Sequence, residues 1–99
     1  MLIEIHAKRW FNRSCGNTYH SVTVVVDDKI VDRCPYAYGY DNQYLQTAHK
    51  LLQKAGIYPT TGEYRNGFPI DYHNFLQDMR NDTHKFITTC YDVKRKRDL

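Results

Sequence analysis

Two histidines and a lysine near the N-terminus have the residue types of an acid/base catalyst that cleaves RNA. Histidine titrates near neutral pH, and a lysine can stabilise the negative charge that develops on phosphorus. The candidates are His6, His20 and Lys8. Their spacing argues against a catalytic pair, because in unbroken strands His20 shares the face of Val22 and His6 lies on the opposite one. A small histidine-dependent nuclease stays an alternative, and no catalytic residue is assigned.

The three cysteines offer little chemistry at their spacing. Cys15, Cys34 and Cys90 are an odd number and far apart, and none forms a Cys-x-x-Cys pair. Cys15 and His20 lack the sequence motif of a cysteine hydrolase. As possible metal ligands, Cys15, His20 and Cys34 do not have the spacing of a zinc ribbon or finger. The sequence therefore predicts reduced thiols in a cytoplasmic compartment, with no metal and no cofactor.

An aromatic and basic surface is predicted on one face of the first two strands. Alternate residues of a strand point the same way, so Trp10 and Lys8 should lie beside Tyr19. Such rings stack on nucleic-acid bases, and cationic side chains neutralise phosphate. The same pattern also describes the ordinary polar face of a sheet, with Trp10 covered by a later loop. The candidate ligand residues of this region are His6, Lys8, Arg9, Trp10, Asn17 and Tyr19.

Tyrosine is unusually common, with nine in the chain, and four of them lie within one short segment. Tyrosine combines a large rigid contact area with a hydrogen-bonding tip, which suits a recognition surface. The rings could instead close the edge of a core that has few aliphatic residues. As ligand residues, the candidates are Tyr36, Tyr38, Tyr40 and Tyr44.

The positive charge is concentrated at the end of the sequence. The chain has fourteen basic and eleven acidic side chains, and residues 1–93 hold ten of each sign. The excess lies in a tail, residues 94–99, whose cations are Lys94, Arg95, Lys96 and Arg97. A short basic tail attracts nucleic acid or any acidic surface weakly. We expect either a solvated, disordered end or a nucleic-acid contact.

Hydrophobic patterning predicts a single α+β domain over residues 1–93. Alternation indicates strands over residues 2–11 and 19–26, a third strand over 29–33 after the Asp27-Asp28 turn, and a last strand over about 84–93. These form an antiparallel sheet of three to four strands. Ile3, Ile5, Val22 and Val24 should face the core.

Two helices should cover that sheet. The longer one is capped by Asp41 or Asn42, continues to Ala55 and ends at Gly56, and the shorter one extends from Asp71 as its N-cap to about Arg80. Residues 34–40 and 57–69 contain proline and glycine and are predicted as loops. The expected element order is β-β-β-α-α-β.

The sequence predicts no membrane partner. Its longest apolar run, residues 22–26, is far below the roughly 18 residues that would span a bilayer, and its N-terminus alternates like a strand. Open sheet edges could pair with a second copy of the chain and give a homo-oligomer.

Three segments resemble small uncharacterised proteins encoded in tailed-phage genomes. They are Arg9-Trp10-Phe11, Gly16-Asn17-Thr18-Tyr19-His20-Ser21-Val22, and Tyr38-Gly39-Tyr40 with Gln43-Tyr44-Leu45-Gln46-Thr47-Ala48. The resemblance covers about the first 55 residues and carries no activity. It implies an accessory protein of host takeover or anti-defence that acts by binding, in the cytoplasm of a host cell.

Together these features predict a non-enzymatic protein that binds nucleic acid or a nucleotide on its aromatic and basic sheet face. A protein-protein inhibitor of a host or defence enzyme is the alternative, since clustered tyrosines can anchor in a partner's pocket.

Overall fold

A computed structural model describes all 99 residues and has the α+β architecture expected from the sequence. The strands are β1 (Ile3–Asn12), β2 (Asn17–Val26), β3 (Lys29–Tyr38), β4 (Tyr64–Arg65), β5 (Phe68–Pro69) and β6 (Phe86–Val93). The helices are α1 (Tyr44–Lys54) and α2 (Ile70–Asn81), and a 3₁₀ turn, Lys96–Asp98, follows β6. Four strands form one sheet in the order β3-β2-β1-β6, and β4 pairs with β5 in a separate hairpin.

The main sheet is mixed, so the expectation of a purely antiparallel sheet is wrong. Strand β6 runs parallel to β1, with Phe86 beside Ile3 and Val93 beside Trp10. Side-chain alternation tells which residues share a face, but it does not tell in which direction a strand runs. The element order also differs from the prediction, because the hairpin β4-β5 lies between the two helices.

The turn between β2 and β3 matches the sequence pattern. Asp27 and Asp28 both adopt positive φ angles, 49° and 68°, as a tight turn between β2 and β3 requires. The Asp27 carboxylate also accepts a hydrogen bond of 2.8 Å from the main-chain N–H of Leu2. Between β1 and β2, the register places His6 opposite Thr23 and Trp10 opposite Tyr19.

The helices pack on one face of the sheet, which we call the inner face, and the core lies between the two layers. Ile3, Ile5, Val22 and Val24 are fully buried there, as predicted. From the helices, Ala48, Leu52 and Phe75 fill the core, and Leu45 and Leu51 are only partly buried at its rim.

Strand β3 is longer than predicted and includes most of the segment expected to be a loop. Residues 34–38 pair with β2, and Pro35 is tolerated because β3 is an edge strand. The pairing passes from Val22–Cys34 to His20–Ala37, so Pro35 and Tyr36 together oppose the single residue Ser21. This irregularity is a β-bulge, and it turns Tyr36 toward the face of the sheet opposite the helices, the outer face.

The helix ends differ from the predicted caps. Gln43 is the N-cap of α1 and Pro69 that of α2, and neither makes a side-chain capping hydrogen bond. Asp71 lies instead inside the first turn of α2, where its carboxylate accepts hydrogen bonds from the N–H and hydroxyl of Thr61 at 2.7 and 2.8 Å. These bonds lower the pKa of Asp71. Gly56 follows α1 with φ +79°, as predicted for a helix end.

Gly39 connects the sheet to α1 at a point where no side chain fits. A Cβ atom there would lie 2.9 Å from the Cε1 atom of His20 and 2.9 Å from the Cβ atom of Gln43. The N–H of Gly39 also donates to the Thr18 carbonyl at 3.0 Å. Glycine is therefore required by close packing.

We expect Gly39→Ala to lower the free energy of unfolding by about 1–3 kcal/mol, because the added methyl group overpacks this junction. Chemical denaturation followed by circular dichroism measures the loss. If the midpoint and slope of the denaturation curve are unchanged, the junction between β3 and α1 accommodates the methyl group without loss of stability, and the close packing described here is contradicted.

Candidate functional site

Aromatic side chains form a continuous row across three neighbouring strands on the outer face. The Trp10 and Tyr19 rings stack at 5.8 Å between centroids, with an interplanar angle of 30°. The Tyr19 and Tyr36 rings stack more closely, at 4.8 Å and 14°. Tyr38 meets the edge of Tyr19 at 5.6 Å and 73°. We call Trp10, Tyr19, Tyr36 and Tyr38 the aromatic row.

Strand pairing builds this row from residues that are distant in sequence. Tyr19 is directly opposite Trp10 on β1 and directly opposite Tyr38 on β3, so three rings share one line across the sheet. The bulge in β3 brings Tyr36 to the same face. Aromatic cross-strand pairs stabilise a sheet, and Tyr19 contacts three aromatic partners on this face.

Much of the row is open to solvent. Tyr38 is 61% exposed, and Tyr36 is also exposed, whereas Trp10 and Tyr19 are half-buried. At the end of the sheet beside Trp10 a groove of about 900 Å³ is lined by Arg9, Arg13, Tyr40 and Lys94 among others. Aromatic surface thus continues from the row to the groove.

The last four residues of the basic tail lie against the outer face. The Lys8 ammonium donates to the main-chain oxygen of Asp98 at 3.2 Å. The Arg33 guanidinium donates to the main-chain oxygen of Leu99 at 2.8 Å. The Lys96 ammonium lies 4.7 Å from the centroid of the Tyr36 ring, a cation–π contact.

The remaining tail cations stay at the surface. Lys94 lines the groove, Arg95 lies 3.8 Å from the Asp98 carboxylate, and Arg97 is exposed. Of the four predicted tail cations, Lys96 is therefore the one that contacts the aromatic row.

The other predicted ligand residues do not all join the row. His6 is on the outer face but is bonded to Thr89 at 2.8 Å and Glu4 at 3.2 Å, toward the other end of β1. The Arg9 guanidinium donates to the Asp92 carboxylate at 3.0 Å and to the Asp41 carbonyl at 2.9 Å. Asn17 pairs with Asn12 where the first turn closes.

Two of the four clustered tyrosines lie off the row. Tyr40 is exposed in the groove. Tyr44 is in the first turn of α1 on the helical side of the sheet, packed against the core, and burial raises its pKa. Tyr44 therefore cannot contact a ligand that is seated on the outer face.

His20 is on the inner face and has a structural environment. Its Nε2 atom is 2.7 Å from the Thr47 hydroxyl, and its Nδ1 atom is 3.3 Å from the Gly39 carbonyl. Because His6 is on the other face of the sheet, the two imidazoles cannot act on one substrate. The geometry confirms the face assignment made from alternation.

A second buried histidine, His49, was not singled out by the sequence pattern. It is 5% exposed and lies among Tyr58, Tyr72 and Phe75, stacked on Phe75 at 5.0 Å. Its Nε2 atom has no hydrogen-bond partner. Burial lowers the pKa of both His20 and His49 below the ordinary 6.5, although nearby Asp71 partly opposes this at His49.

These two histidines predict loss of stability in mild acid. Both histidines have a lower pKa in the folded state than in the unfolded chain. Below about pH 6.5 the unfolded chain therefore binds more protons than the folded protein. The free energy of unfolding is fully retained above that pH and falls as the pH decreases below it. Each histidine contributes at most about 1.4 kcal/mol per pH unit. Denaturation at pH 7 and pH 5 should show the loss, and His49→Phe should make it smaller. An unchanged pH dependence in His49→Phe would contradict this assignment.

The structure adds Arg33 to the site, which the sequence analysis did not select. Arg33 pairs with Thr23 on the outer face because the pairing of β2 and β3 shifts by one residue between Val24 and Val25. Unbroken alternation from the Lys29–Val26 pair would instead place Arg33 on the inner face. Arg33 and Lys8 are linked through the tail, because both donate hydrogen bonds to its last two residues. Strand alternation does not predict where the tail lies.

Comparison with known proteins finds no matching family model, no matching curated protein and no matching solved structure. Neither helix is long and apolar enough to cross a membrane.

Proposed function

We propose that this chain is a small non-enzymatic accessory protein of the phage type, which binds single-stranded nucleic acid or a nucleotide on its outer face. The observation that carries the proposal is the aromatic row, with the cations of Lys8, Arg33 and Lys96 beside it. The proposal places the protein in the cytoplasm of a host cell.

Stacking is the first element of the proposed binding. Every nucleobase has a π-face, and base–aromatic stacking contributes about 1–3 kcal/mol per base in single-strand binding proteins. Tyr38 and Tyr36 present exposed rings, and Trp10 borders the groove. A base or a short run of bases could therefore lie across the row without rearrangement of the core.

Charge is the second element. Lys8 and Arg33 are on the outer face, and the groove contributes Arg13 and Lys94. Asp41 and Asp92 also line the groove, but both contact Arg9. The cations left around the row favour a phosphate backbone, and binding should weaken with added salt.

Binding is favoured over catalysis by the positions of the histidines. His6 and His20 are on opposite faces of the sheet, and both ring nitrogens of His20 have partners within the fold. The proposed role is thus to occupy nucleic acid or sequester a nucleotide.

The test is a titration of the protein with short single-stranded RNA, DNA and cyclic nucleotides, followed by the fluorescence of Trp10, the single tryptophan. Tyr38→Ala should weaken binding about fivefold or more. Tyr64→Ala is the matched control, because Tyr64 is 68% exposed but lies in the hairpin β4-β5, away from the row.

Equal effects of the two substitutions would contradict the assigned surface. No fluorescence change with any probe at moderate salt would contradict nucleotide binding itself. Copurification with a host protein that is lost in Tyr38→Ala would then support the inhibitor alternative.

A further inference from the structure

The last residues of the chain fold back onto the middle of the outer face. Three contacts hold them there: Lys8 to the Asp98 oxygen, Arg33 to the Leu99 oxygen, and Lys96 over the Tyr36 ring. Each contact uses a group that the proposed function assigns to a ligand.

Lys8 and Arg33 converge although they belong to strands on either side of β2. They donate to main-chain oxygens of consecutive residues, which lie within a few ångströms of one another. Ser21, directly opposite Lys8, points outward between them and is only 4% exposed. The two cations therefore hold neighbouring oxygens of the tail from either side of β2, above the covered Ser21 side chain.

From this convergence we infer that Lys8 and Arg33 form a phosphate-binding site, and that residues 96–99 are its resident occupant. The inference rests on the proposed function and specifies where the phosphate of a nucleotide is held. The main-chain oxygens of Asp98 and Leu99 take the positions of phosphate oxygens, and the Lys96 ammonium covers a ring on which a base would stack.

Competition between tail and ligand follows from this arrangement. A phosphate carries a full negative charge and several acceptor oxygens, so it can form charge-assisted hydrogen bonds with both cations at once, and the Arg33 guanidinium can bind it in a bidentate manner. A nucleotide should therefore displace the tail and take over both cations. The tail, despite its positive charge, should weaken nucleotide binding.

The first test compares adenosine 5′-monophosphate with adenosine by isothermal titration calorimetry on the full chain. We expect the monophosphate to bind roughly tenfold to a hundredfold more tightly, as charged hydrogen bonds to phosphate imply. Arg33→Gln and Lys8→Gln should each reduce this ratio severalfold while leaving adenosine binding nearly unchanged. Arg80→Gln is the matched control, since Arg80 is exposed on α2, on the other side of the sheet.

The second test removes the occupant. Deleting residues 96–99 should tighten binding of the monophosphate severalfold, and Lys96→Ala, which leaves the main-chain oxygens in place, should tighten it less. Simple attraction by a basic tail predicts the opposite sign for both variants. A thermal melt of each variant confirms that the fold is intact before affinities are compared.

The outcomes separate this inference from the proposed function. If the monophosphate binds through Trp10 and Tyr38 but is indifferent to Arg33→Gln, or if the deletion weakens binding, the phosphate site is overturned while the proposed function stands. If neither adenosine, its monophosphate nor any oligonucleotide binds, both fail.

Discussion

Replacing Tyr19 with alanine is expected to weaken nucleotide binding more than any other single change on the outer face. Tyr19 contacts Trp10, Tyr36 and Tyr38, so its loss removes one stacking surface and frees its neighbours to reorient. At about 1–3 kcal/mol for each stacked base, affinity should fall roughly fivefold to a hundredfold or more. Fluorescence titration still reports this loss because Trp10 remains.

Tyr19→Phe supplies the control for that result. It keeps the ring and removes only the hydroxyl, so affinity should stay close to that of the unaltered protein. If both variants lose affinity equally, the hydroxyl rather than the stacked ring is responsible, and the aromatic row is not the recognition element.

The largest expected effect on stability belongs to Phe75, at the centre of the helical layer. Phe75 is fully buried and contacts the rings of His49, Tyr58 and Phe86, which join α1, the segment after it and β6. Phe75→Ala should lower the free energy of unfolding by about 3–5 kcal/mol, the usual cost of a large cavity. Urea denaturation measures this.

Phe68→Ala is the comparison for Phe75→Ala. Phe68 is the same residue type but is exposed in the hairpin β4-β5, so its removal should change stability by less than about 0.5 kcal/mol. A large loss in Phe68→Ala would mean that the hairpin is an integral part of the core.

The first hairpin was predictable because its two faces differ in chemistry. Buried Ile5 and Val22 alternate with polar or aromatic neighbours, so a slip of one residue would expose the core. That constraint fixed the outward positions of Lys8, Trp10 and Tyr19, and with them half of the candidate site.

The hairpin β4-β5 carried a signal that the sequence analysis did not use. Asn66-Gly67 adopts φ angles of 53° and 82°, the left-handed pair that a two-residue hairpin turn needs. Proline at position 69 and the very short strands made the segment resemble a loop.

Other features had no local signal. The direction of β6 depends on how the chain crosses the helical layer, and the extent of β3 depends on a bulge that pairs Pro35 and Tyr36 with Ser21. The tail contacts join residues up to 90 positions apart, and local sequence patterns do not record such contacts. Lys8, Trp10 and Tyr19 could thus be inferred, whereas the outward positions of Tyr36 and Arg33 depend on irregular pairing of β3 and could not.

The alternation of the sheet has a consequence for how such a protein can evolve. Residues that keep the fold and residues that would meet a ligand are interleaved along β1 and β2, yet they belong to separate environments. Point substitutions at outward positions can therefore retarget the surface while the architecture persists. An insertion or deletion of one residue within β2 would instead turn its core residues toward the ligand face and its ligand-facing residues toward the core. Related proteins that bind different ligands should therefore differ in the identity of their outward residues and not in the length of their strands.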